Sequence, residues 1–180
     1  MNYMPLKIDD QIVEFELVGT DDASHSASEF EEKKILVVIF TCNHCPYAKA
    51  YQDRIIAVQM DYAGKGVQIV AINSNDDSKY TEDSFEGMKT RAKEKGFNFP
   101  YLHDETQDIA RAYGAKATPH VFVFDSSRKL KYAGAIDDNW EKPEEAKSHY
   151  LRNALDAILA GNDVLVKGTM PVGCTIKWKS

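Results

Sequence analysis

Cysteine is scarce in this sequence, since a chain of 180 residues carries only three. So small and odd a number argues against a disulfide framework and suits a reducing compartment. Long apolar runs are also missing. The longest, Ile35 to Phe40, falls far short of the ~20 residues that span a bilayer. Asp9 and Asp10 lie where a signal peptide would need its apolar stretch. We therefore expect a cytoplasmic protein without a membrane partner.

The chain also has fewer basic than acidic residues. The chain has 22 lysine and arginine residues against 28 aspartate and glutamate residues, its net charge is −6, and no local basic patch offsets it. Nucleic-acid phosphates repel such a protein, so we expect no nucleic-acid partner. Hydrophobic residues at 43% and charged residues at 28% are ordinary globular values. The length fits one domain, which we predict over residues 1–180.

The clearest structural pattern lies in the first half of the chain. Ile35 to Thr41 form an apolar, β-branched run that is typical of a strand buried on both faces. An apolar stripe at steps of three and four residues then predicts a helix that starts near Asn43 and ends at Gly64. Residues 67–73 form a second buried strand. This order predicts two parallel strands joined by a helix.

The second half of the chain continues the alternation of helices and strands. Periodic apolar residues predict one helix that ends at Gly96 and a shorter one over residues 104–113. Residues 118–125 and 129–135 predict a β-hairpin, and a last helix begins at Pro143. The sequence thus predicts an α/β fold in which helices flank a central sheet.

Two cysteines stand where the first strand gives way to the helix. The spacing of Cys42 and Cys45 at a strand-to-helix turn is a specific signal for disulfide exchange. Two alternatives stay open at this point: half of a metal site, or two cysteines that only pack. A metal site would need two more ligands brought close by folding. The candidates are His25, His44, His103, His120 and Cys174.

Disulfide exchange requires a thiolate, whereas a free thiol has a pKa of about 8.5. We expect the pKa of Cys42 to be lowered, because the first turn of a helix offers unpaired amides and a favourable dipole. His44 lies in the same turn and would stabilise the thiolate as a donor or a cation. Cys45 is three residues further on, within reach of a disulfide with Cys42.

Four segments give the chain a family resemblance: FTCNHCPYAKAY, TPHVFVFD, YAGAIDDN and the terminal VGCTIKWK. With the predicted order of elements, they resemble the thioredoxin superfamily. Within it they are similar to the peroxiredoxin-like branch of the alkyl hydroperoxide reductase and thiol-specific antioxidant (AhpC/TSA) family. The resemblance implies a thioredoxin-like fold with a central mixed sheet and a helix inserted between the CxxC helix and a cis-proline strand. It also implies an N-terminal strand extension and a C-terminal tail.

The resemblance implies roles for individual residues as well. It makes Cys42 the exposed nucleophile, Cys45 its resolving partner, and Pro119 a cis proline that presents the backbone of Thr118 to a bound peptide. Cys174 is either a third redox cysteine or an inert buried one, and its place in a terminal strand favours the second interpretation. The implied activity is that of a thiol–disulfide oxidoreductase acting on protein or small-molecule disulfides and thiols, without a bound cofactor or metal.

The sequence departs from these relatives at four positions. Thr41 and Leu36 stand where thioredoxins usually carry a tryptophan and a buried acid that helps to move protons. Peroxiredoxins place a threonine three residues before the reactive cysteine and a proline seven before it, and Ile39 and Ile35 occupy those positions. An antioxidant thiol peroxidase is therefore the second hypothesis, and a copper- or zinc-binding thioredoxin-like protein is the third. The oligomeric state stays open.

Overall fold

The computed structural model describes residues 4–180 and contains one seven-stranded and one two-stranded sheet. The strands are β1 (Glu16–Gly19), β2 (Ser24–Ser26), β3 (Ile35–Phe40), β4 (Val67–Asn73), β5 (Tyr101–His103), β6 (Ala117–Thr118), β7 (His120–Phe124), β8 (Leu130–Gly134) and β9 (Cys174–Thr175). The helices are α1 (Pro46–Tyr62), α2 (Phe85–Lys95), α3 (Asp108–Tyr113) and α4 (Tyr150–Leu159).

The large sheet is mixed, as the resemblance implied. Its strand order is β2-β1-β5-β4-β3-β7-β8. β3 pairs in parallel with β4 and antiparallel with β7, so it lies in the interior of the sheet. The order β3, α1, β4 confirms the predicted parallel pair with its connecting helix, and α2 is the inserted helix that precedes the cis proline. None of the helices in residues 4–180 is both long and apolar enough to cross a bilayer.

Alternate side chains of β3 enter two separate hydrophobic cores, one on each face of the sheet. Ile35, Val37 and Ile39 pack with α1 and α4, whereas Leu36, Val38 and Phe40 pack with α3 and the N-terminal segment. All six are essentially inaccessible to solvent. Burial of each such side chain contributes about 1.5 to 3 kcal/mol to stability, so β3 is held firmly in the sheet. The loop that follows β3 therefore starts from a fixed position.

The first helix begins at Pro46, three residues later than the sequence analysis predicted. Proline suits this first position because its missing N–H would be unpaired anyway, and the residue before a proline is restricted to extended backbone. Cys45 accordingly has φ −74° and ψ 128° and forms the N-cap, while Asn43 and His44 form a bend. Cys45 therefore lies at the helix N-terminus, and Cys42 does not.

Two later helices also begin further along the chain than predicted. α3 begins at Asp108 because the Asp104 carboxylate accepts hydrogen bonds from two amides of its first turn. α4 begins at Tyr150 instead of Pro143. Pro143–Glu145 form a separate 3₁₀ turn, and hydrogen bonds of Asp138 with Lys147 and Ser148 keep the residues between that turn and α4 out of the helix. The short strand β5, which the sequence analysis did not predict, joins the N-terminal hairpin β1–β2 to β4.

Candidate active site around Cys42 and Cys45

Both cysteines of the CxxC motif contact Thr118, at the end of β6. The Sγ of Cys42 lies 3.3 Å from the Thr118 hydroxyl oxygen, and the Cys45 thiol donates a hydrogen bond to the Thr118 carbonyl at 3.6 Å. The Thr118–Pro119 peptide bond is cis, as the resemblance implied. Folding thus brings together Cys42, Cys45, Thr118 and Pro119, although Thr118 follows Cys42 by 76 positions.

The two sulfurs are deeply buried. Cys42 and Cys45 are each 0% exposed, so the expected exposure of Cys42 is wrong, whereas its role as the nucleophile stays a prediction. The physical reason is local packing: Ala48, Tyr47 and Cys174 join the two cysteines in one apolar cluster. A reagent in solvent therefore has no direct access to either sulfur in this conformation.

The pKa values of the two cysteines also differ from the sequence-based prediction, which assigned the lowered pKa to Cys42. The hydrogen bond to Cys45, the burial of the sulfur and the negative charge of Asp83 all raise the pKa of Cys42 far above that of an ordinary thiol. The Cys42 thiol, assisted by the thiol of Cys174 and two backbone amides, lowers the pKa of Cys45 to about 4, although burial opposes this. The pKa values of the two thiols thus move apart, and the lowered one belongs to the cysteine at the helix N-terminus.

One thiolate is expected in the reduced protein near pH 6, on Cys45. Cys42→Ala removes its main hydrogen-bond donor and should raise the pKa of Cys45 by about 2. Cys42→Ser keeps a hydroxyl donor at the same position and should change the pKa less. A pH titration of thiolate ultraviolet absorbance checks both variants. Absence of a thiolate below pH 7, or identical pKa values in the two variants, would contradict this assignment.

Asp83 is a residue of this site that the sequence analysis missed. Its carboxylate is 0% exposed and accepts four hydrogen bonds. The donors are the backbone N–H of Asn43 at 2.6 Å, the side-chain amides of Asn73 at 3.0 Å and Asn75 at 3.1 Å, and Nδ1 of His44. Because a buried charge must be paired and hydrogen-bonded, this network fixes the loop that carries Cys42.

No local signal in the sequence distinguishes Asp83 from its neighbours. It lies in a polar segment before α2, where several acidic residues stand close together and a solvated loop is the simplest prediction. Only the asparagine that ends β4, Asn73, gives a hint, since a polar side chain at the end of a fully buried strand needs a partner. The approach of this segment to the CxxC loop is a long-range contact.

His44 contacts Asp83 and is not a freely solvated residue. Its ring stacks on Tyr80 at a centroid distance of 4.5 Å, and its Nδ1 pairs with the Asp83 carboxylate. Cys42, His44 and Asp83 each offer one metal-ligating atom, and these atoms lie within 4.8 Å of one another. However, the four hydrogen bonds to Asp83 already use the lone pairs that a cation would need. The donor set fits a hydrogen-bond network better than a metal ion.

The other candidate metal ligands lie elsewhere in the fold, with one exception. His25 pairs with Asp21 and Glu29 on the N-terminal hairpin. His103 stacks on Phe85 at the end of β5. Neither belongs to a three-residue ligand cluster in the described part of the chain.

The exception is Cys174, which lies at the CxxC site. β9 pairs antiparallel with β6, and the register places Cys174 opposite Thr118. Its side chain packs against Cys42, Cys45 and Ala48 and is partly exposed. Partial burial, then the hydrogen bond and charge of Cys45, raise the pKa of Cys174 to about 11. The terminal strand is as predicted, but its cysteine is a neighbour of the redox motif.

His120 directly follows the cis proline and is buried against Phe122. The backbone N–H of Lys116 donates to its Nδ1 at 3.1 Å. Burial, and to a lesser degree the charge of Lys116, lower the pKa of His120 to about 4. The neutral ring is therefore part of the core and holds the turn before β6.

Acidification is expected to destabilise the protein through His120. Between pH 6.5 and about 4, the unfolded chain binds a proton on this histidine and the folded chain does not, so the free energy of unfolding falls as the pH falls. The loss should be about 3 kcal/mol near pH 4. Urea unfolding of wild type and of His120→Asn, each near pH 7 and near pH 4, tests this expectation. The variant keeps an acceptor for the Lys116 N–H but does not titrate. Equal acid sensitivity in both proteins would refute the expectation.

Comparison with known proteins places this site in a family. Residues 7–150 match the Redoxin family. The chain belongs to the Redoxin family. This is the AhpC/TSA-like, peroxiredoxin-like branch of the thioredoxin superfamily that the sequence motifs resembled. No curated protein matches the sequence.

Solved structures similar to this Redoxin chain include two that align over nearly its whole length. An uncharacterized conserved protein from Geobacillus kaustophilus has a TM-score of 0.91 and 40% identity, with 97% of this chain and 93% of that chain covered. A hypothetical protein from Sinorhizobium meliloti 1021 has a TM-score of 0.91 and 35% identity, with 98% and 97% covered. Peroxidoxin BcpB from Mycobacterium tuberculosis shares the fold at a TM-score of 0.62 and 18% identity, with 86% and 95% covered.

The departures from the Redoxin relatives have structural counterparts. Ile35 and Ile39 are buried in the core beneath α1 and do not line the site, so no hydroxyl is supplied from the position three residues before Cys42. Leu36 faces the opposite core. The buried acid that is missing at Leu36 has a counterpart in Asp83, which approaches Cys42 from the segment before α2.

Proposed function

We propose that this Redoxin protein is a thiol–disulfide oxidoreductase whose Cys42 and Cys45 cycle between a dithiol and a disulfide. The observation that carries the proposal is the meeting of both sulfurs on Thr118, beside the cis Pro119. A pair that shares one proton at neutral pH is ready to attack a disulfide and to close one of its own. This use of the motif requires no cofactor.

The reaction balances as two successive exchanges. A protein thiolate attacks one sulfur of a substrate disulfide, forms a mixed disulfide and releases the first substrate thiolate. A second protein cysteine then loses its proton and attacks the protein sulfur of the mixed disulfide, which releases the second substrate thiolate. Two electrons pass from the protein to the substrate. The thiolate on Cys45 is the group already ionised at neutral pH.

Asp83 is proposed as a positioning residue for Cys42. Its carboxylate lies beside Cys42 and accepts a hydrogen bond from the N–H of the next residue, Asn43. Cys42 must lose its proton before the disulfide can close, and the substrate thiolate released in the first exchange can accept it.

Three assays on one preparation test the proposed function. Reduced protein should reduce oxidised glutathione and insulin disulfides with dithiothreitol as electron donor, and a variant with both Cys42→Ser and Cys45→Ser should not. Hydrogen peroxide consumption, measured in parallel, should be slower than disulfide reduction because Ile39 supplies no hydroxyl. Faster, cysteine-dependent peroxide consumption would replace the proposal with the peroxidase hypothesis. Stoichiometric zinc or copper in reduced protein would favour the metal-binding hypothesis instead.

A further inference from the structure

The C-terminal strand occupies the free edge of the cis-proline strand. β9 pairs with β6, and the N–H of Ile176 donates to the Lys116 carbonyl at 3.3 Å, one residue before β6 begins. Ile176 is only 3% exposed. This edge is where an extended peptide would add as a further strand, through backbone hydrogen bonds. Here the protein's own tail already makes those bonds.

The tail is anchored on both sides of Cys174. After it, the side chain of Gln107 binds the Lys177 carbonyl at 2.9 Å and the Lys179 N–H at 3.0 Å. Before it, Gly173 approaches Thr118 so closely that a Cβ would overlap the Thr118 carbonyl oxygen. Only glycine fits this approach, which holds the side chain of Cys174 against the CxxC site.

The three sulfurs have an order, with Cys45 in the middle. The thiols of Cys42 and Cys174 both act on the pKa of Cys45, and the side chain of Cys174 packs against the CxxC cluster. Cys42 and Cys45 are fully buried, whereas Cys174 is partly exposed. Cys174 is therefore the cysteine of the three that an external disulfide can approach in this conformation.

We propose that Cys174 is the exchange cysteine through which the buried Cys42–Cys45 pair reacts with external thiols and disulfides. This inference rests on the proposed function and names the atom at which substrates bind covalently. In the step itself, the Cys174 thiolate attacks the Cys45 sulfur of the Cys42–Cys45 disulfide. A Cys45–Cys174 bond forms, the Cys42–Cys45 bond breaks, and Cys42 leaves as a thiolate. An external thiolate then attacks Cys174, which forms a mixed disulfide and releases Cys45 as a thiolate. A second external thiolate attacks the external sulfur of that mixed disulfide, which releases an external disulfide and the Cys174 thiolate.

Groups around the three cysteines favour both the departure of Cys42 and the attack by Cys174. The Thr118 hydroxyl, 3.3 Å from Cys42, can donate to the Cys42 thiolate as it leaves. Burial is the main cause of the raised pKa of Cys174, and the hydrogen bond and charge of Cys45 add to it only while Cys45 is a thiolate. They vanish when Cys45 enters a disulfide, and the positive charge of Lys177 still acts to lower the pKa of Cys174. Cys174 thus becomes more nucleophilic when a disulfide is available to attack.

The decisive experiment uses Cys42→Ser and oxidised glutathione, followed by peptide mapping of the products by mass spectrometry. Glutathione should add first to Cys174, and the adduct should be replaced by an intramolecular Cys45–Cys174 disulfide. In the control Cys45→Ser, the glutathione adduct on Cys174 should persist and no Cys42–Cys174 link should form. Gly173→Ala keeps all three cysteines but should slow formation of the Cys45–Cys174 link at least tenfold, because the tail is displaced.

In wild type, the rate of glutathione addition to Cys174 should exceed that to either buried cysteine by at least tenfold. A first adduct on Cys42, or a Cys42→Ser protein in which Cys45 carries glutathione while Cys174 stays a free thiol, would overturn the inference. The proposed function is judged separately, by whether wild type forms the Cys42–Cys45 disulfide at all. That disulfide can form even if Cys174 proves inert.

Discussion

Replacing Asp83 by alanine is expected to lower the free energy of unfolding by about 3 to 5 kcal/mol, the largest loss for any single substitution at this site. The substitution removes the acceptor for the buried Asn43 N–H and for the amides of Asn73 and Asn75. Each buried donor left without a partner costs about 1 to 3 kcal/mol. His44 loses its counter-charge as well.

Asp83→Asn is the matched control, because it keeps the shape and one acceptor oxygen. It should destabilise less than alanine, by roughly 1 to 3 kcal/mol. The remaining loss arises because the NH₂ group of asparagine replaces a carboxylate oxygen and faces donors that it cannot accept from. The substitution also removes the charge that raises the pKa of Cys42, so that pKa should fall. Urea unfolding and thiolate absorbance measure the two effects. Losses below 1 kcal/mol in both variants would show that the network does not hold the site.

Replacing Cys45 by serine should abolish disulfide turnover, with a loss on the order of a thousandfold or more. Cys45 contacts both other sulfurs and is the thiolate of the reduced pair. Cys42→Ser should be less severe, because Cys45 and Cys174 can still form a disulfide. Steady-state reduction of oxidised glutathione by the two variants, prepared side by side, provides the comparison. If Cys42→Ser is the more severe substitution, the central position of Cys45 is wrong.

The sequence predicted those parts of the site that follow from local pattern. The apolar run of β3, the periodic stripe of α1 and the CxxC spacing at their junction depend on neighbouring residues, and each is found in the structure. The meeting of Cys42 with Thr118 and the cis Pro119 came from family resemblance, because no local rule links segments so far apart.

What the sequence did not predict depends on long-range packing. Local sequence gives no reason to expect burial of a cysteine that follows a buried strand. The tail that packs on it is distant in sequence, and β9 reaches the site through its pairing with β6. The acidity of the pair was assigned to Cys42 because the helix was expected to begin near Asn43. Pro46 sets the true start, and this moves the helix N-terminus to Cys45.

The central claim is that Cys42 and Cys45 form one two-electron redox couple. Wild-type protein equilibrated in buffers of graded reduced-to-oxidised glutathione ratio, then acid-quenched and mapped by mass spectrometry, tests it most directly. We expect a single transition in which Cys42 and Cys45 become joined by a disulfide, with a tenfold change in the equilibrium constant for every ~30 mV. Independent glutathione adducts on Cys42 and Cys45, with no Cys42–Cys45 link at any ratio, would contradict the claim.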